Sequence, residues 1–160
     1  MNQSDLHGTN RRISIKQVLI DQFQQTWRVE MLQSNKGGMY LNYKDNLELE
    51  PYFKILHLND CITLFKFRTS NHNLPIEVGR WDGTLVENRK CTLCTHDALG
   101  SEQHYLLLYN QFTSARNKWL PSISYNVNNL HYFTELLKNK NEKTLQKLCT
   151  FIYVIMSSFK

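Results

Sequence analysis

Two cysteines separated by two residues, Cys91 and Cys94, constrain this chain more than any other feature. A C-x2-C step is the span over which both thiolates of a tight loop can face one metal ion. After nine intervening residues comes His104, at the start of an apolar stretch containing Leu106, Leu107 and Leu108. A helix beginning there would let its imidazole face back toward the cysteine loop. Cys91, Cys94 and His104 are therefore three candidate zinc ligands. A structural zinc site closes with four, and the fourth is open in the sequence: Tyr109 stands five residues beyond His104, and His96 and Asp97 lie just after the knuckle. A phenol is a poor zinc ligand near neutral pH.

Around these residues runs an order that has a family likeness: Lys66-Phe67-Arg68, Asn71-His72, Leu74-Pro75, Glu77, Gly79-Arg80-Trp81, Glu87, Arg89, Cys91, Cys94, Gly100, Glu102, His104-Tyr105 and Phe112. It resembles the zinc-binding tail that follows the reverse transcriptase domain in animal non-LTR (LINE-like) retrotransposon proteins, over a span from about Trp27 to about Ile155. That tail usually reads C-x2-C, a short acidic loop, then H-x4-C. The resemblance implies Zn2+ at Cys91, Cys94 and His104, with Tyr109 in the place of the last cysteine, a departure that marks a divergent copy. It also implies a retroelement origin, RNA or DNA as a partner, and a reverse transcriptase domain as a neighbour.

The chain has 160 residues, 41% of them hydrophobic and 21% charged, which suits one domain with one core and lies far from the composition of disordered chains. The expected fold is mainly α: residues 1–12 form a flexible segment, and 13–160 form a single helical domain with a small β-hairpin and zinc-knuckle insertion at 74–112. Net charge is +5, which favours acidic partners. Lys66, Arg68, Arg80, Arg89 and Lys90 gather loosely around the knuckle and, with Trp81 as a stacking platform, are the candidate nucleic-acid contacts. Four of these have a plainer reading beside them: Lys66 and Arg68 as a solvated helix face, Trp81 as the lid of a small core, and Arg80 as the partner of Glu77 or Glu87.

Helical spacing places the scaffold. Ser14 and Gln17 fit an S-x-x-Q capping box ahead of Ile15, Leu19, Phe23, Trp27 and Met31, a stripe that reads as core packing. Gly37-Gly38 is expected to break the chain, with a short strand or loop after it. Glu50-Pro51 opens a short helix, and Asn59 or Asp60 caps the next. Ile76, Val78, Trp81, Leu85 and Val86, punctuated by Gly79 and Asp82-Gly83, suggest an extended hairpin. Glu102 to Phe112 reads as one helix, with Thr113 to Leu120 continuing it. Leu130, Phe133, Leu136 and Leu137, then Leu145, Leu148, Ile152, Ile155 and Phe159, make a closing helical pair.

Catalysis has little support. Asp5, Asp21, Asp45, Asp60, Asp82 and Asp97 never stand adjacent, so no carboxylate pair for two magnesium ions is visible, nor is there a phosphate loop, a G-x-S-x-G elbow or an H-E-x-x-H helix. A non-catalytic module with no small-molecule substrate is expected. The alternative is a vestigial structural or protein-docking domain. Cys61 and Cys149 sit in apolar helical patterns and read as small buried hydrophobes. The start, MNQSDLHGTNRR, has no apolar run for a translocon, and the apolar run Leu148 to Phe159 is shorter than the roughly 20 residues that span a bilayer. An intracellular protein, cytoplasmic or nuclear and neither secreted nor membrane-bound, is the expectation.

Overall fold

The last helix organises the core. In the computed structural model, which describes residues 14–34, 36–44, 46–120 and 130–159, helix α8 (Glu142–Ser157) buries Leu145, Leu148, Cys149, Phe151, Ile152 and Ile155. These recur at three- and four-residue steps, so one broad apolar stripe faces inward along the helix. Asn141 starts it by accepting a hydrogen bond from the Thr144 amide at 3.0 Å, satisfying one of the amides that a helix N-terminus leaves free. Helix α7 (Leu130–Lys138) precedes it and adds Phe133, Leu136 and Leu137 to the interior.

Against α8 pack α3 (Tyr52–Ile55), α4 (Leu58–Arg68), α6 (Thr113–Trp119) and a π turn at His104–Leu108. Helix α4 contributes Cys61, Leu64 and Phe67. Cys61 and Cys149 are free thiols, 4% and 1% exposed, and burial pushes the Cys149 thiol up to about 12, keeping it protonated. Both behave as the small hydrophobes that their apolar surroundings suggest.

Helix α1 (Ile15–Gln33) departs from expectation. It begins where the sequence places it, yet Ser14 makes no side-chain cap and Gln17 bonds Asp21 instead at 2.8 Å. Its stripe does not enter the core: Ile15 is 81% exposed, Leu19 60% and Phe23 63%, with only Trp27 and Met31 half-buried. The reason is geometric. The helix is 19 residues long, roughly 28 Å at 1.5 Å per residue, and its main neighbour, α2 (Gly37–Tyr40), is 4 residues long. One turn cannot cover five. The glycine pair expected to break the chain instead opens α2, and the flexible segment expected at 1–12 lies outside the described residues.

The second correction concerns the insertion. Among the described residues there is no strand, and the expected β-hairpin between Leu74 and Cys94 is absent. Residues Pro75–Trp81 form helix α5. Leu74 is extended and Pro75 takes the first helical position, where its fixed φ is already helical and its missing N–H costs nothing. The inward side of this helix is taken by Glu77, 4% exposed and held by Arg80 one helical turn later and by Lys36, while Val78 and Trp81 are exposed. Gly83 then turns the chain with φ 70°, a short 3-10 turn follows at Val86–Asn88, and a lone antiparallel bridge, Lys90 to Leu99, closes the cysteine loop. No helix among the described residues is long and apolar enough to cross a membrane.

Candidate metal centre

The bridge between Lys90 and Leu99 makes the knuckle. The Cys91 amide donates to the Ala98 carbonyl at 2.8 Å and the Gly100 amide to Arg89 at 2.9 Å, so the loop leaves and returns at one point. Gly100 fits there because it lacks a side chain: a Cβ would lie 2.7 Å from the Pro75 ring and 3.1 Å from the Lys90 carbonyl oxygen. The loop is thereby held against α5 on one side and feeds the π turn on the other.

At the start of the π turn the His104 amide donates to Ser101 Oγ at 3.2 Å. Two residues earlier, Glu102 is buried and anchors the turn to the end of α4: Ser70 Oγ donates to its carboxylate at 2.8 Å and His72 Nε2 lies 3.0 Å away. Burial alone would raise the Glu102 carboxyl, but the hydrogen bond and charge of His72, with help from Ser70, hold it below the usual carboxylate range. Ser70 has φ 51°, an uncommon conformation for a residue with a side chain, and its bond to Glu102 compensates. Past His104 the turn is widened: the Tyr109 amide donates to the His104 carbonyl at 2.8 Å, five residues back. Arg116 of α6 then takes the Leu106 and Tyr109 carbonyls at 2.8 and 2.9 Å, pinning the turn from below.

This scaffold brings Cys91, Cys94 and His104 together. Their ligand atoms all lie within 4.8 Å of one another, with Cys94 Sγ 3.9 Å from His104 Nε2. Three donors at such separations can share one ion at about 2.0–2.3 Å each with small adjustments. Their chemistry fits: two thiols and an imidazole form the soft-to-borderline set preferred by Zn2+. Burial, then the nearby Arg116 charge, lowers the His104 pKa, so its ring is neutral and has a lone pair to give at pH 7. Burial and the neighbouring Cys91 raise the Cys94 thiol, so without a cation it holds its proton.

Two tyrosines complete the surroundings, and sequence reading gave neither this role. Tyr105, fully buried, donates its hydroxyl to Cys91 Sγ at 3.1 Å, an outer-shell bond of the kind that orients a thiolate. Tyr109 donates to the Leu93 carbonyl at 2.9 Å, and its ring lies 5.8 Å from the His104 ring. The only advance signal was a Tyr on either side of three leucines after His104. Of the other candidate ligands, Asp97 is exposed and pairs with Lys90 at 3.2 Å, and His96 is exposed. Neither joins the cluster.

The proposed nucleic-acid residues do not converge in the same way. Arg68 is 3% exposed: its guanidinium holds Glu50 at 2.9 and 3.3 Å and the Tyr43 carbonyl at 3.2 Å, with the rings of Tyr40, Tyr43 and Tyr52 around it at 4.9 to 5.8 Å. It is part of the core, and the expectation of a solvated face or phosphate contact does not match that position. Arg89 donates to the Thr84 and Ile76 carbonyls at 2.9 and 3.1 Å and so supports α5. Arg80 pairs with Glu77 at 2.9 Å and lies 4.4 Å above the Trp81 ring, which is 71% exposed and also faces Lys36 at 5.2 Å. Lys66 is exposed on α4. Compared with family models, with curated proteins and with solved structures, the chain has no match.

Proposed function

We propose that residues 89–108 are a zinc-binding module in which Zn2+, held by Cys91, Cys94 and His104, fastens the cysteine loop to the π turn. The observation that carries this reading is the convergence of three ligand atoms within 4.8 Å of one another, from a loop and a turn that are each independently fixed. The metal's role is structural, and the chain as a whole acts by binding without catalysis. Its resemblance to the tail of non-LTR retrotransposon proteins supports a retroelement-derived domain that worked beside a reverse transcriptase. RNA or DNA contact then falls to Lys66, Trp81 and Lys90, whose pair with Asp97 lies at the surface, since Arg68, Arg80 and Arg89 are engaged within the protein. Elemental analysis of the purified protein tests the metal: about one zinc per chain is expected, lost in Cys94→Ser and His104→Ala, and a metal-free parent refutes the reading. Nucleic-acid affinity must fall steeply with salt, because neutralised phosphates release counterions; a flat salt dependence removes that part alone.

A second reading is favoured by one observation, the exposed apolar stripe of α1. Ile15, Leu19 and Phe23 are well over half exposed, an arrangement that suits docking against an adjoining reverse transcriptase domain. Phe23→Ser and Leu19→Ser would then abolish co-purification with that domain and leave zinc content unchanged.

A further inference from the structure

We infer that the fourth coordination position of this metal site is open, and that it takes a monodentate ligand from outside the chain, best matched by a small thiol bound as its thiolate. The inference rests on the zinc reading and specifies it. Among the described residues no fourth His, Cys, Asp or Glu joins the three ligands. Neither neighbouring phenol is available: the Tyr105 hydroxyl donates to Cys91 Sγ at 3.1 Å, and the Tyr109 hydroxyl is committed to the Leu93 carbonyl at 2.9 Å, leaving Tyr109 to form a wall. That wall belongs to a cavity of about 500 Å³ that Cys94 and His104 themselves line, together with the apolar Leu93, Ala98 and Leu108 and the polar Thr95, His96, Asn110 and Gln111; His96 lines it but does not join the three ligand atoms. Two ligands thus face the protein on one side and an open, mostly apolar space on the other. Catalytic zinc sites share the pattern of three protein ligands with a vacant position, whereas structural sites fill it.

The lining and the charge select the donor. Leu93, Ala98, Leu108 and Tyr109 accommodate a short alkyl chain, while Thr95, His96, Asn110 and Gln111 leave polar partners for a group at its far end. Zn2+ with two thiolates and a neutral imidazole has no net charge, and the buried Arg116 guanidinium below the turn favours an anionic fourth donor. A thiol meets both demands: its S–H bond breaks heterolytically, the sulfur keeps the electron pair and gives it to the metal, and the proton leaves to solvent. No oxidation or reduction is involved.

Cobalt makes the position visible, because Co2+ occupies zinc sites and its thiolate charge-transfer absorption grows with the number of sulfur ligands. The whole chain is loaded with Co2+ and titrated with 2-mercaptoethanol. The expected result is a saturable rise of about 1.5-fold in that absorption, from two thiolates to three, at one thiol per cobalt. Leu108→Trp, which narrows the cavity without replacing a ligand, should keep the initial cobalt spectrum and lose the response. A parent whose cobalt spectrum does not change with thiol overturns the open position while leaving the zinc reading intact. A thiol that strips the cobalt out, or a Leu108→Trp protein that responds like the parent, overturns it as well. Failure of the parent to bind cobalt at all removes the metal site and this inference with it.

Discussion

Replacing Arg68 by alanine separates a structural arginine from a nucleic-acid contact. The guanidinium makes three hydrogen bonds, two to Glu50 at 2.9 and 3.3 Å and one to the Tyr43 carbonyl at 3.2 Å, and it is boxed by three tyrosine rings. Removing one partner of a buried ion pair costs roughly 3–5 kcal/mol, because the other charge is left without compensation. Here Glu50 would keep Lys44 at 3.2 Å and the Tyr40 hydroxyl at 3.0 Å, which limits the loss to the lower end, about 3 kcal/mol. For a domain of this size that corresponds to a fall in Tm of roughly 6–12 °C. Urea unfolding followed by circular dichroism measures it, in a double-mutant cycle with Glu50→Gln. The pair should show a coupling of at least about 1 kcal/mol, since the two side chains share their hydrogen bonds. If Arg68→Ala shifted stability by less than about 0.5 kcal/mol, the size of an ordinary surface change, the interior placement of Arg68 would be refuted. A weakened nucleic-acid affinity in that same variant would then return it to the binding surface.

Three further outcomes are expected. Tyr105→Phe deletes the hydroxyl that donates to Cys91 Sγ, and zinc affinity measured by competition with a chromophoric chelator should drop about 10- to 100-fold with the fold retained. Ile152→Ala, at a fully buried position of α8, should lower unfolding free energy by roughly 2–5 kcal/mol in urea, and a smaller loss would mean that α8 is not the centre of the core. Tyr40 is pushed up to about 12, first by burial and then by the Glu50 charge and hydrogen bond, so the folded state binds its proton more tightly than the unfolded chain does. Its contribution is complete below the unfolded value of about 10 and is lost as pH rises from there toward about 12; Tyr40→Phe should flatten that alkaline decline in Tm.

The scaffold was legible where burial and periodicity agree. Leu145, Leu148, Ile152 and Ile155 repeat with helical spacing and do line the core. For α1 the same reasoning failed, since a stripe specifies a face and says nothing about whether a neighbour is long enough to cover it. At Pro75–Trp81 apolar residues punctuated by Gly79 and Asp82-Gly83 suggested extended chain, but a proline at the first helical position and a buried glutamate held by its own helix make a helix instead. The three metal ligands could be read because cysteine and histidine spacing carries coordination geometry. The residues that fix them, Ser70, His72, Glu102 and Arg116, could not, because their hydrogen bonds cross between α4, the π turn and α6, and no short window of sequence contains such a pairing. Arg68 shows the converse: charge counted along the chain cannot distinguish a cation in solvent from one enclosed by tyrosines.

The widened turn at His104–Leu108 sets a rule of phase for any copy of this sequence. In a regular α-helix each residue advances about 100°, so a side chain five positions after His104 would point about 140° away from it. Here the extra residue in the turn slows that rotation, and the Tyr109 ring returns to within 5.8 Å of the histidine. Deleting one residue among 105–108 would let the helix relax to ordinary winding and leave the tyrosine, then four positions after His104, only about 40° from it and still on the cavity wall. An insertion would do what point substitutions cannot: at six positions the tyrosine would point about 120° away in ordinary winding, changing which residue looks at the metal while every ligand keeps its identity. Lineages of this module would therefore be expected to tolerate a turn one residue shorter more readily than one residue longer.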